Sequence, residues 1–228
     1  MDERPPITDH SGHRARLRQR LAEGGPDALL DHELVEYLLA LAMPRRDTKP
    51  LAKQLIDRFG GFGRLLAADH EALERAGLTQ GQVAALKIAQ ASALRLLRSE
   101  IAEQPILGSW QALLDYLHAD MAHLAVERVR VLFLDSKNRL IRDEPMWEGS
   151  VDESAVYVRE IVRRALDYQA TGLIIVHNHP SGDPRPSPQD IAITKDIADA
   201  ARHLRIALHD HVIVGRSGHA SLRALGLM

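Results

Sequence analysis

Residues 177 to 190, HNHPSGDPRPSPQD, place His177, His179, Ser187 and Asp190 in an order and spacing that can build one metal site. Two imidazoles and a carboxylate are three protein ligands, and three leave the fourth tetrahedral position open for a water, as hydrolytic zinc sites require. Multiplying residue frequencies gives on the order of 0.002 chance occurrences of H-x-H-x7-S-x2-D in such a chain. The second half also has a structural reading. Ser187 as N-cap, Pro188 at the first helical position and Asp190 two further on make a capping box. The two readings are compatible, because one carboxylate oxygen can serve a metal while the hydroxyl caps the helix.

These residues need a strand, a stiff loop and a helix in succession, and the flanking sequence supplies them. TGLIIVHN is a continuous apolar run of strand length, and side chains two apart on a strand share a face, so His177 and His179 project together while Asn178 points away. The loop PSGDPRP carries three prolines and a glycine, and SPQDIAITKDIADAARHL reads as a helix that begins near Ser187 and holds Asp190 in its first turn. RIALHDHVIVG reads as a further strand, in which His209 and His211 are expected to share a face; a structural or supporting role is expected for them rather than a second metal site.

Upstream, RVRVLFLD (128 to 135) and RLIRDEPMWEG (139 to 149) flank a short polar turn and predict an antiparallel hairpin, followed by the helix AVYVREIVRRALDYQA. Residues 105 to 228 are therefore expected to be α/β with covered strands. Residues 1 to 104 look all-helical, since apolar positions recur three and four apart in DHELVEYLLALA, TKPLAKQLIDRF, DHEALERA and QVAALKIAQASALRLL. Asp31, Thr48 and Asp69 precede such runs as candidate caps, and about five short helices are expected. The segment EIAEQPILGS, around Pro105 and Gly108, is the expected linker between a helical domain (1–104) and an α/β domain (105–228).

Composition narrows the function classes. The chain has no cysteine among 228 residues, which excludes disulfides, thiolate metal ligands and a cysteine nucleophile and leaves any metal to the twelve histidines and the carboxylates. Lys plus Arg number 29 against 31 Asp plus Glu, a net charge of −2, so no global electrostatic case for nucleic acid exists. The charged N-terminus MDERPPITDHSGHRARLRQR lacks an apolar signal region, and no run of eighteen apolar residues occurs, so a soluble, cytoplasmic protein with no membrane partner is expected.

H-x-H-x7-S-x2-D resembles the JAMM motif of the MPN family of zinc metalloproteases. RVLFLDSKNRLI, EGSVDESAVYVREIVRRAL, LIIVHNHPSGDPRPSPQDI and LHDHVIVG together resemble the bacterial RadC (UPF0758) family, whose members carry an MPN-like domain. The resemblance spans residues 105 to 228, with a weaker match over most of the first half. It implies an MPN (JAMM)-like C-terminal domain binding one Zn2+ per chain through His177, His179 and Asp190. It further implies a glutamate that acts as general base on a metal-activated water. Glu127, at the start of the first strand, occupies that glutamate's place, while Glu144 and Glu148 lie at the second strand. Ser187 would donate a hydrogen bond to the developing oxyanion or to the water. The implied activity is that of a metallopeptidase or isopeptidase cleaving an amide bond in a peptide or protein substrate.

RadC relatives also carry a helical domain similar to a helix-hairpin-helix module, whose G-h-G turn contacts DNA phosphates. Here the turn reads AGLTQGQVAAL, with Gly77 and Leu78 in place but Thr79 where the second glycine belongs, and a Cβ there hinders close backbone approach to phosphate. Weak DNA contact through this domain, or a DNA-repair-associated role of RadC type, is the alternative reading. Arg14, Arg16, Arg18 and Arg20 form the one dense basic run, but on a helix they split into two stripes rather than one patch. A metal-stabilised interaction module without turnover is a third reading.

Overall fold

A computed structural model describes residues 10–102, 104–149 and 154–228. The charged residues 1–9 and the part of the EGSVDESAVYVREIVRRAL stretch at 150–153 lie outside the described residues. The chain divides into two compact units, Met1–Ser92 and Ala93–Met228. The division falls inside a helix rather than at the Pro105 segment. Leu94, Leu97 and Ile101 of that helix are apolar and pack into the core of the second unit, so its last turns belong there.

The N-terminal unit is helical: α1 (His10–Gly24), α2 (Asp31–Ala42), α3 (Lys49–Phe59), α4 (Phe62–Ala67), α5 (His70–Arg75) and the first half of α6 (Gln80–Ala102). Its core is Val35, Leu39, Ala52, Leu55, Leu65, Leu73, Leu78, Val83 and Leu86. The caps divide by their chemistry. The Asp69 carboxylate accepts from the Ala72 N–H at 2.6 Å, as an N-cap should. Asp31 is already inside α2, where Glu33 instead reaches back to the Leu30 N–H at 3.0 Å. Thr48 stands at the N-cap of α3, but its hydroxyl donates to the Glu36 carbonyl at 2.8 Å. α3 closes on Gly60 in the left-handed conformation, φ 75°.

The elements of the C-terminal unit are α7 (Trp110–Met121), β1 (Arg128–Leu134), β2 (Leu140–Glu148), α8 (Ser154–Asp167), β3 (Gly172–Asn178), α9 (Pro188–His203), β4 (Ala207–Gly215) and β5 (Gly218–Ser221). The strands form one mixed sheet of order β2-β1-β3-β4-β5. β3 and β4 are parallel, joined by α9, and the other pairs are antiparallel. The β1–β2 hairpin turns on Asn138, which takes a positive φ of 58°, and Pro145 is accommodated because β2 is an edge strand. Alternate residues of the central strands feed two apolar layers. Leu132, Leu134, Ile174, Val176, Val212 and Val214 pack with α7, whereas Val131, Phe133, Leu173 and Ile175 pack with Ile161 and Ala165 of α8 and Ile197 and Ala201 of α9. Both faces of the sheet are covered, which explains the unbroken apolar run in β3. Among the described residues no helix is long and apolar enough to cross a membrane.

Candidate metal centre

β3 delivers the two histidines. His177 is its last apolar-layer position on the α9 face and is 2% exposed; His179 follows the strand and prolongs its pairing, its N–H donating to the Val214 carbonyl at 2.9 Å. The chain then turns at Gly182, φ 92°, whose N–H returns to the His179 carbonyl at 2.9 Å. Arg216 holds this loop from β4's far end by donating to the Pro180 carbonyl at 2.7 Å and to that of Ser181. The Asp183 carbonyl, fixed by this loop, lies 2.8 Å from His179 Nδ1. A carbonyl can only accept, so Nδ1 carries the proton and the Nε2 of a neutral His179 ring presents a lone pair.

α9 delivers the carboxylate. The Ser187 Oγ accepts from the Asp190 N–H at 3.1 Å, while the Ser187 N–H and O–H both donate to Asp190 Oδ2 at 2.7 Å. This is the capping box, and it leaves the carboxylate turned toward the histidines. His177 Nε2 lies 3.2 Å from Asp190 Oδ1, His179 Nε2 lies 3.5 Å from Oδ2, and the two Nε2 atoms are 3.0 Å apart. Burial disfavours the charge on Asp190, but the neighbouring His177 and the two Ser187 donors outweigh it and hold the carboxyl well below the usual carboxylate range.

The donor set fits a small cation. Ligands about 2.0–2.1 Å from a tetrahedral zinc stand roughly 3.3 Å apart, close to the separations of 3.0, 3.2 and 3.5 Å found here. His177, His179 and Asp190 form the one group of three or more such side chains able to hold a metal ion among the described residues. Ser187 is brought to the cluster as well, although its hydroxyl proton is given to Asp190.

The three candidate glutamates part company. Glu127 stands just before β1, two residues ahead of Val129, which pairs with His177; its carboxylate is not one of the groups gathered in the His177, His179 and Asp190 cluster. Its neighbours are fixed by Asn178, whose Oδ1 accepts from the Arg128 N–H at 2.9 Å and whose Nδ2 donates to the Val126 carbonyl at 3.1 Å. Glu148 is paired in register with Arg128 and ion-paired to it at 2.8 Å. Glu144 sits deeper, accepting from the Tyr168 hydroxyl at 2.6 Å and facing Arg164 at 3.2 Å.

The HDH run does not follow simple alternation. A register shift between Leu173 and Ile174 makes His209 the extra residue of β4, so it does not share a face with His211 as the spacing suggests. His209 lies against Gly172, Asp210 accepts from the Ser221 hydroxyl at 2.5 Å, and only His211 reaches the cluster, its Nε2 2.7 Å from His177 Nδ1. Thr194 and Asn178, both buried, join the site's surroundings without any sequence motif to announce them.

A five-stranded mixed sheet flanked by helices, with His-x-His at the end of a central strand and an aspartate in the next helix, defines a JAB (MPN-type) domain. Residues 107–227 match the family model described as RadC-like JAB domain. The chain is 52% identical over 213 residues, 93% of its length and 100% of the relative's, to a UPF0758 protein of Rhodobacter capsulatus. It belongs to the RadC (UPF0758) family.

Proposed function

We propose that the C-terminal unit is a zinc-dependent metallopeptidase or isopeptidase acting on an amide bond of a peptide or protein. The observation that carries this reading is the convergence of His177 Nε2, His179 Nε2 and the Asp190 carboxylate to within 3.0–3.5 Å of one another. Two imidazole nitrogens and a carboxylate at that range form a compact donor set of the size a tetrahedral cation would take. Zinc held by these three residues would supply Lewis-acid polarisation of an amide carbonyl and acidify a water molecule at the site.

The chain's own residues supply the rest. Glu127 removes the proton of the attacking water and returns it to the leaving amine. It is assigned this role because Glu144 and Glu148 are already paired with other groups. Ser187 orients Asp190 through its N–H and, with its hydroxyl turned from Oδ2, donates to the developing oxyanion. His179 is kept in its ligand orientation by the Asp183 carbonyl. No residue in this scheme forms a covalent intermediate.

The DNA-associated alternative would lie in the N-terminal unit. There Arg14 donates to the Met43 carbonyl at 3.2 Å and Arg20 to the Glu33 carboxylate at 2.7 and 2.9 Å, so half of the basic run is spent inside the unit. We therefore place the function in the C-terminal unit. The test is hydrolysis of a mixed peptide library by zinc-loaded protein beside a Glu127→Gln variant. The expected outcome is cleavage that Glu127→Gln abolishes while retaining zinc. Equal cleavage by both variants would remove Glu127 from the mechanism, and duplex binding at low salt without any cleavage would favour the DNA reading.

A further inference from the structure

His211 and Thr194 are buried behind His177, 2% and 0% exposed, and neither is a member of the ligand cluster. They connect two members of it through a chain of hydrogen bonds whose direction can be worked out. The Thr194 hydroxyl lies 2.5 Å from the backbone carbonyl of Asp190, which can only accept, so the single hydroxyl proton goes there. Thr194 Oγ1 also lies 2.5 Å from His211 Nδ1, and with its proton committed it must accept; His211 therefore carries its proton on Nδ1. His211 is enclosed, and among the described residues its two nitrogens face only the Thr194 hydroxyl and His177, with no carboxylate hydrogen-bonded to either, so the packing accommodates a neutral ring whose Nε2 is a lone pair. That lone pair is 2.7 Å from His177 Nδ1, which must then be the donor. In a neutral His177 ring the remaining nitrogen, Nε2, is left unprotonated and faces His179 and Asp190.

We propose that Thr194 and His211 are positioning residues that lock His177 in the tautomer whose Nε2 can act as a ligand. The relay starts at the backbone of Asp190 and ends at His177, so helix α9 sets the ligand state of strand β3 as well as supplying its own carboxylate. Without Thr194 the His211 ring can carry its proton on Nε2 instead. That proton would meet His177 Nδ1, displace its proton to Nε2 and cap the lone pair the cluster needs. The affinity consequence rests on the zinc reading given above; the tautomer belongs to the metal-free chain and does not.

The experiment is a zinc titration against a competing chelator, run with ring 15N spectra of the metal-free protein, on wild type, Thr194→Val, Thr194→Ser, His211→Leu and His211→Gln. The expected result is a His177 Nδ1–H tautomer in the wild type and zinc affinity lowered roughly 10–100-fold in Thr194→Val and His211→Leu. Thr194→Ser, which keeps the hydroxyl, and His211→Gln, whose carbonyl can accept from His177, should stay near wild type. Valine has nearly the shape of threonine, so Thr194→Val remains informative even where a His211 variant fails to fold. Unchanged zinc affinity and an unchanged His177 tautomer in Thr194→Val overturn the proposal. If wild type binds no zinc, the zinc reading falls instead, and an Nε2–H tautomer for His177 in the wild-type spectrum would overturn the relay on its own.

Discussion

Asn178 clamps the chain on both sides of Glu127: its side-chain amide accepts from the Arg128 N–H at 2.9 Å and donates to the Val126 carbonyl at 3.1 Å. The residue between the two histidines thus points away from the metal cluster but secures the segment that carries the proposed base. Asn178 is 1% exposed, so truncating it strands a backbone N–H and a carbonyl. Asn178→Ala is expected to cost about 1–3 kcal/mol in urea unfolding and to lower hydrolysis while leaving zinc content intact. Asn178→Asp, which can still accept but not donate, should fall between. Loss of zinc in Asn178→Ala would show that the residue supports the ligands rather than Glu127.

Gly215 ends β4 against the loop that follows His179. A Cβ there would run into the Gly182 carbonyl oxygen and come within 2.9 Å of its carbon, both backbone atoms that cannot swing aside. Gly215→Ala should therefore push the loop outward, destabilise the unit by about 1–3 kcal/mol and move the Asp183 carbonyl off His179 Nδ1. Zinc titration and thermal melting should report both losses together. A melting temperature equal to wild type would contradict the close approach.

In the N-terminal unit Glu33 is held below the usual carboxylate range, chiefly by the Arg20 hydrogen bond, against the opposing effect of burial and with help from the Leu30 N–H. A depressed carboxyl contributes stability that is present above its unfolded pKa and lost as pH falls through the folded value. Wild type should be more stable than Glu33→Gln at neutral pH, with the two thermal-melting curves converging below about pH 4. A difference that stays constant from neutral to acid pH would show that the contribution is not ionic.

Much of the site was legible in the sequence because its parts obey local rules. Strand alternation put His177 and His179 together, and the Ser187 to Asp190 cap fixed where α9 begins. β1 and β2 and the helix after them also fell close to the expected ranges. The remainder depends on tertiary register. The link from His211 to His177 requires knowing that β4 lies parallel beside β3 and that a bulge displaces His209. Thr194 sits one turn beyond Asp190 and reads as an ordinary helix residue until its hydroxyl is seen against Asp190's carbonyl. Helix α7, which covers one face of the sheet, carries no cap hydrogen bond from its N-cap side chain and follows Pro105 and Gly108, so the linker signal concealed it.

The claim on which the whole account turns is that His177, His179 and Asp190 together hold a metal ion. The most direct measurement is the metal content of purified protein by elemental analysis, for wild type, His177→Ala and Asp190→Ala, with circular dichroism to confirm that each is folded. The account predicts about one zinc per chain in the wild type and almost none in either variant. Folded variants that retain full zinc, or a wild type that takes up none when zinc is supplied, would contradict it.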